Sequence, residues 1–507
     1  MDPLESSALE IGQLAAALEA EANYDRVWLP PEPWWESLVK DQETFTAAIR
    51  RQVLRGTKWS RSSVVDARKP GHGTRPISVM SADARVLYRA IVSALVPEDE
   101  RPDRSAEGYA NFVLQPIRAA FENESAPIHL ADSKYSHVLV TDIAAFYQYI
   151  DHGILRDEFD LAGKDIKLVD GLIGLLADLQ GRSFGIPQRS QPSDWVSEIY
   201  AARVERWAIR EGFDVWRYSD DFRVGCLTYS DALRAIESLS RATRDCGLAL
   251  NDQKTATPTF WTYLNRNAGV EVDDLAMEID PSDVEAAVSS EYVPEDDDQA
   301  IAEASAVIDH LWDPETDEEP VGEDDWDLRT LTPEQHRAVR RALSTLTRFA
   351  DPTALPLLAS LLAYQPALTH LVIGYAKAMA AVDAPVRPFF DVAVTKVSLN
   401  EWQKAWIAYG IRACAVRLTS RSSTTLWLLS LLNARPDSLP AAEAAVTLSA
   451  ANLVSFHTIE SLFLSVSADF SAWYLQAIAN LRELGKVSAQ QAGALRPLSP
   501  LAHSILR

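Results

Sequence analysis

The chain has 507 residues, 47% of them apolar, so more than one domain with a sizeable core is expected. Its formal net charge of −24 argues against a protein that follows a long nucleic-acid duplex, because phosphate contacts need Lys and Arg. Three cysteines without a CxxC pair fit free thiols in a reducing cytosol. No signal peptide and no membrane span are predicted, so we expect a cytoplasmic protein.

The charge is unevenly distributed along the chain. Residues 291–328 hold 16 Asp and Glu and no Lys or Arg, whereas residues 50–89 hold ten Lys and Arg against two Asp. Nucleic-acid binding is therefore conceivable locally, and the acidic total bears mainly on solubility and nonspecific repulsion.

Two helices are predicted at the start of the chain, over residues 4–21 and 36–54. A proline-broken aromatic connection that contains Tyr24 separates them. Residues 64–69 and 76–79 then predict two strands joined by a Gly/Pro loop. Lys69 and Arg75 lie near the ends of this hairpin, where they either clamp a triphosphate or belong to an ordinary basic hairpin.

The clearest strand covers residues 136–143 and ends on Asp142. A carboxylate at the end of a buried strand is costly unless it is paired or binds a metal. A helical region over 154–180, a Gly/Pro loop over 185–193 and a helix over 194–210 follow.

Two adjacent aspartates, Asp220 and Asp221, lie between short β-prone runs at 213–217 and 222–226. The pattern predicts a hairpin with both acids at or beside its tip. By itself this is either a solvated turn or a site for a divalent cation such as Mg²⁺, which takes carboxylate ligands and substrate phosphates. Asp142 is the natural third carboxylate. A helix over 229–246, a returning strand over 247–251 and a short β segment over 260–264 are predicted next.

The rest of the chain is an acidic connecting stretch followed by successive helices. Leu/Ala-rich helices recur from residue 332 to the end, separated by short Pro, Asp or Ser breaks. Pairs of helices every ~35–45 residues fit a HEAT-like α-solenoid, and an irregular bundle is the alternative.

The order of these motifs resembles that of reverse transcriptases over roughly residues 50–265. Residues 142–147 (DIAAFY) resemble their first catalytic motif, 185–188 (GIPQ) the template-side loop and 218–221 (YSDD) the Tyr-x-Asp-Asp box. Residues 250–255 (LNDQKT) resemble the next motif, 260–264 the primer-side β element, and Lys69 with residues 75–77 the fingers.

The resemblance implies a polymerase that uses two Mg²⁺ ions, with Mn²⁺ as a substitute. Asp142 and Asp220 would bridge the two ions and Asp221 would be an auxiliary ligand. The implied dNTP-binding set includes the basic side chains of Lys69, Arg75 and Lys254 and the backbone N–H groups of Ala145 and Phe146. It also includes the Tyr147 ring, which would exclude a 2′-hydroxyl, and the loop residue Gln188. Lys254 is alternatively a surface lysine after a strand.

The predicted fold is therefore an α+β reverse-transcriptase fingers–palm core followed by an all-α HEAT-like helical repeat domain. The segments are an N-terminal helical segment (1–54), fingers (55–135), palm (136–270), an acidic connecting segment (271–330) and the helical domain (331–507). This organisation, without a recognisable basic thumb, resembles bacterial abortive-infection and defence-associated reverse transcriptases.

That narrower resemblance implies antiphage defence, homo-oligomers and DNA synthesis without a template, primed from a protein hydroxyl, so that DNA stays covalently attached. Arg189, where many relatives have Gly, lies where a template normally passes, and Tyr24 is the candidate priming residue. Two alternatives stay open: a conventional RNA-templated reverse transcriptase with a partner RNA, as in retrons, and an idle scaffold whose helical repeats bind a partner.

Overall fold

The computed structural model describes residues 11–24, 26–71, 73–121, 128–129, 133–268, 278–279, 297–314 and 325–507. Its contacts divide the chain into two compact units. Unit 1 comprises Met1–Ala8 and Ile91–Val293, and unit 2 comprises Leu9–Ala90 and Pro294–Arg507.

The strands, in chain order, are β1 (Ser63–Arg68), β2 (Thr74–Val79), β3 (Ile128–His129), β4 (His137–Asp142), β5 (Asp214–Tyr218), β6 (Asp221–Cys226), β7 (Glu278–Ile279), β8 (Leu311–Trp312) and β9 (Trp326–Asp327). The first eleven α-helices are α1 (Ile11–Ala22), α2 (Trp35–Lys40), α3 (Gln42–Leu54), α4 (Ala82–Leu95), α5 (Ala106–Ala120), α6 (Phe146–Tyr149), α7 (His152–Leu161), α8 (Ile166–Gln180), α9 (Gln191–Arg210), α10 (Tyr229–Asp245) and α11 (Phe260–Ala268). The remaining described α-helices are α12 (Asp297–Asp309), α13 (Pro333–Phe349), α14 (Leu358–Tyr364), α15 (Thr369–Ala381), α16 (Arg387–Lys396), α17 (Glu401–Ala413), α18 (Ser423–Ala434), α19 (Leu439–Ala450), α20 (Phe456–Phe463), α21 (Ala468–Glu483), α22 (Ala489–Leu495) and α23 (Pro500–Ile505).

Unit 1 is organised around an antiparallel three-stranded sheet in the order β4–β6–β5. Apolar side chains of α5, β4 and α11 form a core against it that includes Ile117, Val138 and Leu264. Gly225 in β6 is required by packing, because a Cβ there would lie 2.5 Å from the ring of Tyr135. The sheet thus holds β6, which begins with Asp221, against the end of β4.

Two predicted β segments of unit 1 are wrong. Residues 260–264 begin the helix α11, whose buried residues Phe260, Tyr263 and Leu264 follow the helical spacing of three and four. The predicted strand over 247–251 is an irregular segment that touches the sheet through a single bridge from Leu250 to Ile143.

Unit 2 joins the beginning of the chain to its end. The Ser63 N–H and hydroxyl both donate to Asp469 Oδ2, at 2.7 and 2.8 Å, which fixes β1 to α21. The Trp402 indole N–H donates to the Trp28 carbonyl oxygen at 2.6 Å, and the Ser504 hydroxyl donates to Asp41 at 2.9 Å. The hairpin β1–β2 therefore packs in one unit with the C-terminal helices.

Alternate helices of the C-terminal region pack on one another. The pairs are α13 with α15, α15 with α17, α17 with α19, and α19 with α21. Such a stack buries a continuous core between neighbouring helix pairs, as helical repeats do. The chain thus has a fingers–palm core followed by a helical region, and the HEAT-like subtype stays a prediction.

The five predicted segments stay a prediction as domain boundaries, and the two units cut across them, since residues 9–90 group with the helical region. Much of the acidic connecting segment, 280–296 and 315–324, lies outside the described residues. Among the described helices, none is both long and apolar enough to cross a membrane.

Candidate active site

The sheet of unit 1 brings the three predicted acids together. Asp142 at the end of β4 lies directly across from Asp221 at the start of β6, and the Ile143 N–H donates to the Asp220 carbonyl oxygen at 3.0 Å. Ser219, between Tyr218 and Asp220, has a φ of 59°, a left-handed conformation that costs a non-glycine residue energy. The strained conformation of Ser219 thus forms the tight turn that places Asp220 and Asp221 beside Asp142.

The acids are largely removed from solvent. Asp142 is 5% exposed, and its Oδ1 is buried with no hydrogen-bond partner among the described residues. Burial, followed by the neighbouring charge of Asp220, raises the pKa of Asp221 to about 6. Burial also raises the pKa of Asp220, with a further contribution from the charge of Asp142. Three carboxylates in this setting destabilise one another unless a positive charge offsets them.

Lys254 supplies one positive charge at Asp142. Its Nζ lies 2.5 Å from Asp142 Oδ2, and this hydrogen bond with the charges of the three acids raises the pKa of Lys254 although burial lowers it. The turn that carries it is closed by a bond from the Lys254 N–H to the Asn251 carbonyl oxygen at 3.0 Å. The sequence analysis placed Lys254 in the dNTP-binding set or on the surface after a strand, and the structure pairs it with Asp142. Its contact with a nucleotide stays a prediction.

The chemistry of the acids fits a divalent cation. Carboxylate oxygens are the ligands that Mg²⁺ prefers, and the unpartnered Asp142 Oδ1 is a buried acceptor that a cation would satisfy. Within the described residues, however, no group of three or more His, Cys, Asp or Glu side chains is arranged to hold a metal ion. Asp142, Asp220 and Asp221 are thus neighbours and not a preformed cage.

The segment after β4 turns sharply into α6. Ala145 has a φ of 49° and precedes the short helix, and the Phe146 side chain is 2% exposed. The Tyr147 hydroxyl donates to Asp194 Oδ1 at 2.7 Å. Burial, followed by the charge of Asp194, raises the pKa of Tyr147. Ala145, Phe146 and Tyr147 therefore lie in the turn and short helix that follow β4, and their contacts with a nucleotide stay a prediction.

The loop over residues 185–190 adjoins this turn through the bond from the Ile186 N–H to the Tyr147 carbonyl oxygen, at 2.9 Å. The Gln188 Oε1 is buried and accepts no hydrogen bond from the described residues. Arg189 has a φ of 61°, which is the conformation that glycine adopts most readily. The turn expected of a glycine is therefore retained although an arginine occupies the position.

Sequence patterns did not indicate the residues that hold Tyr218 and Arg217 beside the acids. The Tyr218 ring lies between Tyr109 and Phe112 of α5, at centroid distances of 5.3 and 5.8 Å. Arg217 pairs with Glu198 at 2.6 Å and with Glu205 at 3.0 Å, both on α9. The acidic partners lie 12 and 19 positions before Arg217 in the sequence, and no local pattern pairs residues at those separations.

Three predicted residues belong to unit 2. Lys69 closes the β1–β2 hairpin through its N–H to the Gly73 carbonyl oxygen at 3.0 Å. The Arg75 guanidinium lies 5.3 Å from the Trp28 ring centre, and that of Arg89 lies 5.5 Å from the Tyr24 ring centre. Triphosphate binding by Lys69 and Arg75 and priming by Tyr24 stay predictions.

Comparison with known proteins identifies the region that carries the acids. Residues 67–272 match the family model described as reverse transcriptase (RNA-dependent DNA polymerase). No curated protein matches the chain.

Solved structures of telomerase are similar at low identity. The complex from Candida albicans with a TWJ fragment of telomeric RNA is 11% identical, with 85% of this chain and 67% of that chain covered and a TM-score of 0.32. Apo telomerase from Candida tropicalis is 11% identical, with 82% and 68% covered and a TM-score of 0.31. The Candida tropicalis complex with a TWJ fragment is 13% identical, with 73% and 64% covered and a TM-score of 0.30. The chain spans about two thirds of the length of each, and at these TM-scores the likeness supports no inference. The match over residues 67–272 and the acids within it identify this part of the chain as a reverse-transcriptase domain.

Proposed function

We propose that the protein is a DNA polymerase of the reverse-transcriptase type that adds deoxynucleotides in antiphage defence. The observation that supports the chemistry is the pairing of Asp142 with Asp221 across two strands, with Asp220 in the adjoining turn and a buried Asp142 oxygen left unpartnered.

In the proposed reaction, a hydroxyl oxygen bonds to the α-phosphorus of a dNTP. The bond between the α-phosphorus and the bridging oxygen breaks, pyrophosphate leaves, and the hydroxyl proton goes to solvent. When bound by Asp142, Asp220 and Asp221, Mg²⁺ supplies a lowered pKa at the attacking hydroxyl and charge neutralisation at the phosphates. Lys254 must leave Asp142 Oδ2 before it can support the departing pyrophosphate.

Synthesis without a template is the narrower proposal. It is supported by Arg189 in a left-handed turn where the resemblance leads one to expect a glycine, by the net charge of −24 and by the resemblance to abortive-infection enzymes. The second candidate is RNA-templated synthesis, which is favoured by the match to a family of RNA-dependent DNA polymerases. The helical region is proposed to be a HEAT-like repeat that mediates homo-oligomers or partner binding.

The test is incubation of the purified full chain with Mg²⁺ and labelled dNTPs, with and without an RNA or DNA template. Product without template supports the first proposal, and product only with template supports the second. The double substitution Asp220→Asn and Asp221→Asn should abolish product, whereas Asp245→Asn, at an exposed aspartate of α10, is the matched control. Absence of product from the wild type under all conditions contradicts both.

Protection against phage separates the enzyme from a scaffold. Cells that express the Asp220→Asn, Asp221→Asn variant should lose protection if DNA synthesis is required, and should keep it if the helical region alone acts. Immunoblots of both strains must show equal protein.

Priming from the protein predicts label that survives denaturation and disappears on protease digestion. Tyr24→Phe should remove that label and Tyr229→Phe, at a 51% exposed tyrosine of unit 1, should not. If both variants keep the label, Tyr24 is not the attachment site.

A further inference from the structure

The Tyr147 ring is fastened at its tip as well as at its backbone. Its hydroxyl donates to Asp194 Oδ1 at 2.7 Å, and the oxygen of the buried Ser197 hydroxyl lies 3.5 Å from the Tyr147 hydroxyl oxygen. At the other end of the residue, the Ile186 N–H holds the Tyr147 carbonyl oxygen. A tyrosine that is held at its hydroxyl and at its backbone carbonyl oxygen has little freedom to move its ring away from this position.

The acceptor of this bond is built into the first turn of a long helix. Asp194 belongs to the first turn of α9, whose 20 residues also carry Glu198 and Glu205, the partners of Arg217 beside the acids. Ser197 donates to the Asp194 carbonyl oxygen at 2.9 Å, so the two polar contacts of the phenol come from one rigid turn.

The charges around Asp194 connect it to the candidate active site. Arg104, which pairs with Glu198, is its favourable neighbour, while Glu198 and Asp220 are unfavourable ones. Tyr147 itself lies five positions after Asp142, in the helix α6 that follows the end of β4, so the fastened ring belongs to the segment that leads away from the acids. Neutral alternatives such as serine would accept the same bond with less desolvation, which makes a carboxylate here a costly choice.

We propose that Asp194 is a positioning residue for sugar selection, which holds the Tyr147 ring where it leaves no room for a 2′-hydroxyl. The inference rests on the proposed polymerase function and deepens it: the substrate class is the deoxynucleoside triphosphate, and the preference depends on a residue that does not touch the nucleotide. Tyr147 excludes the 2′-hydroxyl with its ring, and Asp194 keeps the ring from yielding.

The test measures kcat/KM for a dNTP and for the matching rNTP and takes their ratio. Asp194→Ala should lower the preference for the dNTP about three- to tenfold, the size expected for the loss of one hydrogen bond. Tyr147→Phe keeps the ring and removes only the hydroxyl, so it should lower the ratio by a similar factor. The double variant should lower it no further than either single one, because both remove the same contact. Asp194→Asn, which keeps an acceptor oxygen, should retain most of the preference.

A matched pair in the same unit provides the control. The Tyr135 hydroxyl donates to Asp214 Oδ2 at the same 2.7 Å, away from the three acids. Asp214→Ala removes an equivalent bond and should leave the ratio unchanged. If it lowers the ratio as much as Asp194→Ala does, general loosening of the unit is the cause and the inference is overturned.

The remaining outcomes distinguish the inference from the function on which it rests. An active wild type with an unchanged ratio in both Asp194→Ala and Tyr147→Phe overturns the inference and leaves the polymerase intact. A wild type that makes no product from dNTPs overturns both. Tyr147→Phe keeps the test valid if Asp194→Ala does not fold.

Discussion

At the scale of single residues, the most informative feature is the shared use of Asp142. One of its oxygens is bound to Lys254 and the other has no hydrogen-bond partner in the described part of the chain. A buried carboxylate with one unpartnered oxygen is expected to bind a cation readily. The neighbouring Asp221, with its pKa raised to about 6, adds a proton that must leave before a metal can bind.

We therefore predict that Mg²⁺ affinity falls as the pH decreases from 8 to about 5.5. Asp221 is protonated below its raised pKa, so protons compete with the metal for its oxygens, whereas above pH 7 the carboxylate is ionised. Melting curves at each pH, with Mg²⁺ and with an equal ionic strength of NaCl, would measure this through the Mg²⁺-dependent rise in Tm. Asp221→Asn should remove most of the pH dependence between 5.5 and 7. A Tm rise that is independent of pH in the wild type would contradict the assignment.

Lys254 should lower the affinity for Mg²⁺ and raise kcat. In Lys254→Met the ammonium no longer occupies Asp142 Oδ2, so the apparent Mg²⁺ affinity should rise, while kcat should fall if the lysine supports the leaving pyrophosphate. Titration of activity with Mg²⁺ measures both quantities. Equal loss in both, or a weaker Mg²⁺ affinity, would show that the lysine helps to form the metal site.

Arg189 should carry backbone strain that glycine relieves. Arg189→Ala and Arg189→Gly remove the same side-chain contacts, and they differ in the Cβ at a φ of 61°. The glycine variant should be more stable than the alanine variant by about 1 kcal/mol, since left-handed backbone costs other residues ~1–2 kcal/mol. Urea unfolding followed by tryptophan fluorescence would compare them. Equal midpoints would mean that this loop does not hold the left-handed conformation.

At the scale of elements, the attachment of β1 to α21 has a pH signature. Burial raises the pKa of Asp469 to about 6, even though the Ser63 N–H and hydroxyl donate to it. The folded state therefore keeps a proton that the unfolded chain loses between about pH 4 and pH 6. Holding this aspartate ionised costs stability above about pH 6, and that cost disappears as the pH falls toward 4.

Asp469→Asn, which carries no charge, should thus gain stability relative to the wild type as the pH rises. Its Tm difference from the wild type should be about 2–4 °C more positive at pH 8 than at pH 4.5. Asp351, in the same unit, is the matched control, since its Oδ1 accepts from the Thr353 N–H and hydroxyl at 3.0 and 2.6 Å. Asp351→Asn should show the same Tm difference at both pH values, and a flat response at Asp469 would refute the prediction.

The elements also show how far the sequence could be interpreted. Strand β4 was predictable because its centre is apolar and it ends on Asp142, and the hairpin β5–β6 because two acids separate two β-prone runs. The segment 260–264 was misassigned because a five-residue apolar run fits both periods, and only the core of unit 1 selects the helix. Asp194 was missed as a partner of Tyr147 because 47 residues separate them.

At the scale of the whole molecule, the grouping of residues 9–90 with the C-terminal helices could not be predicted from local pattern. The contact from Ser63 to Asp469 spans 406 positions, and the one from Asp41 to Ser504 spans 463. Local propensity carries no information about such pairs. Linear segmentation therefore placed the fingers hairpin in a segment apart from the helical region, whereas the fold places both in unit 2.

The net charge leads to a prediction for the purified chain. With −24 charges, it should bind nonspecific duplex DNA more weakly than the Kd of about 10⁻⁴–10⁻⁶ M that is typical of DNA-binding proteins at physiological salt. Fluorescence anisotropy with a labelled duplex would measure this, and dNTP binding to the same preparation would be the positive control. A micromolar Kd with a steep salt dependence would show that the local basic segment over residues 50–89 outweighs the total charge.

The ion pair between Lys254 and Asp142 has a consequence for folding: we expect the chain to fold without Mg²⁺ and to need the ion only for the proposed DNA synthesis. If Mg²⁺ were needed to bring the three acids together, folding would depend on binding of the ion, and a chelator would unfold the protein. In this chain the Lys254 ammonium already offsets the charge of Asp142, so we expect the acids to keep their arrangement without a bound metal ion. EDTA should abolish the proposed DNA synthesis without lowering the Tm by an unfolding-sized amount. Adding Mg²⁺ back should restore the synthesis without a refolding step.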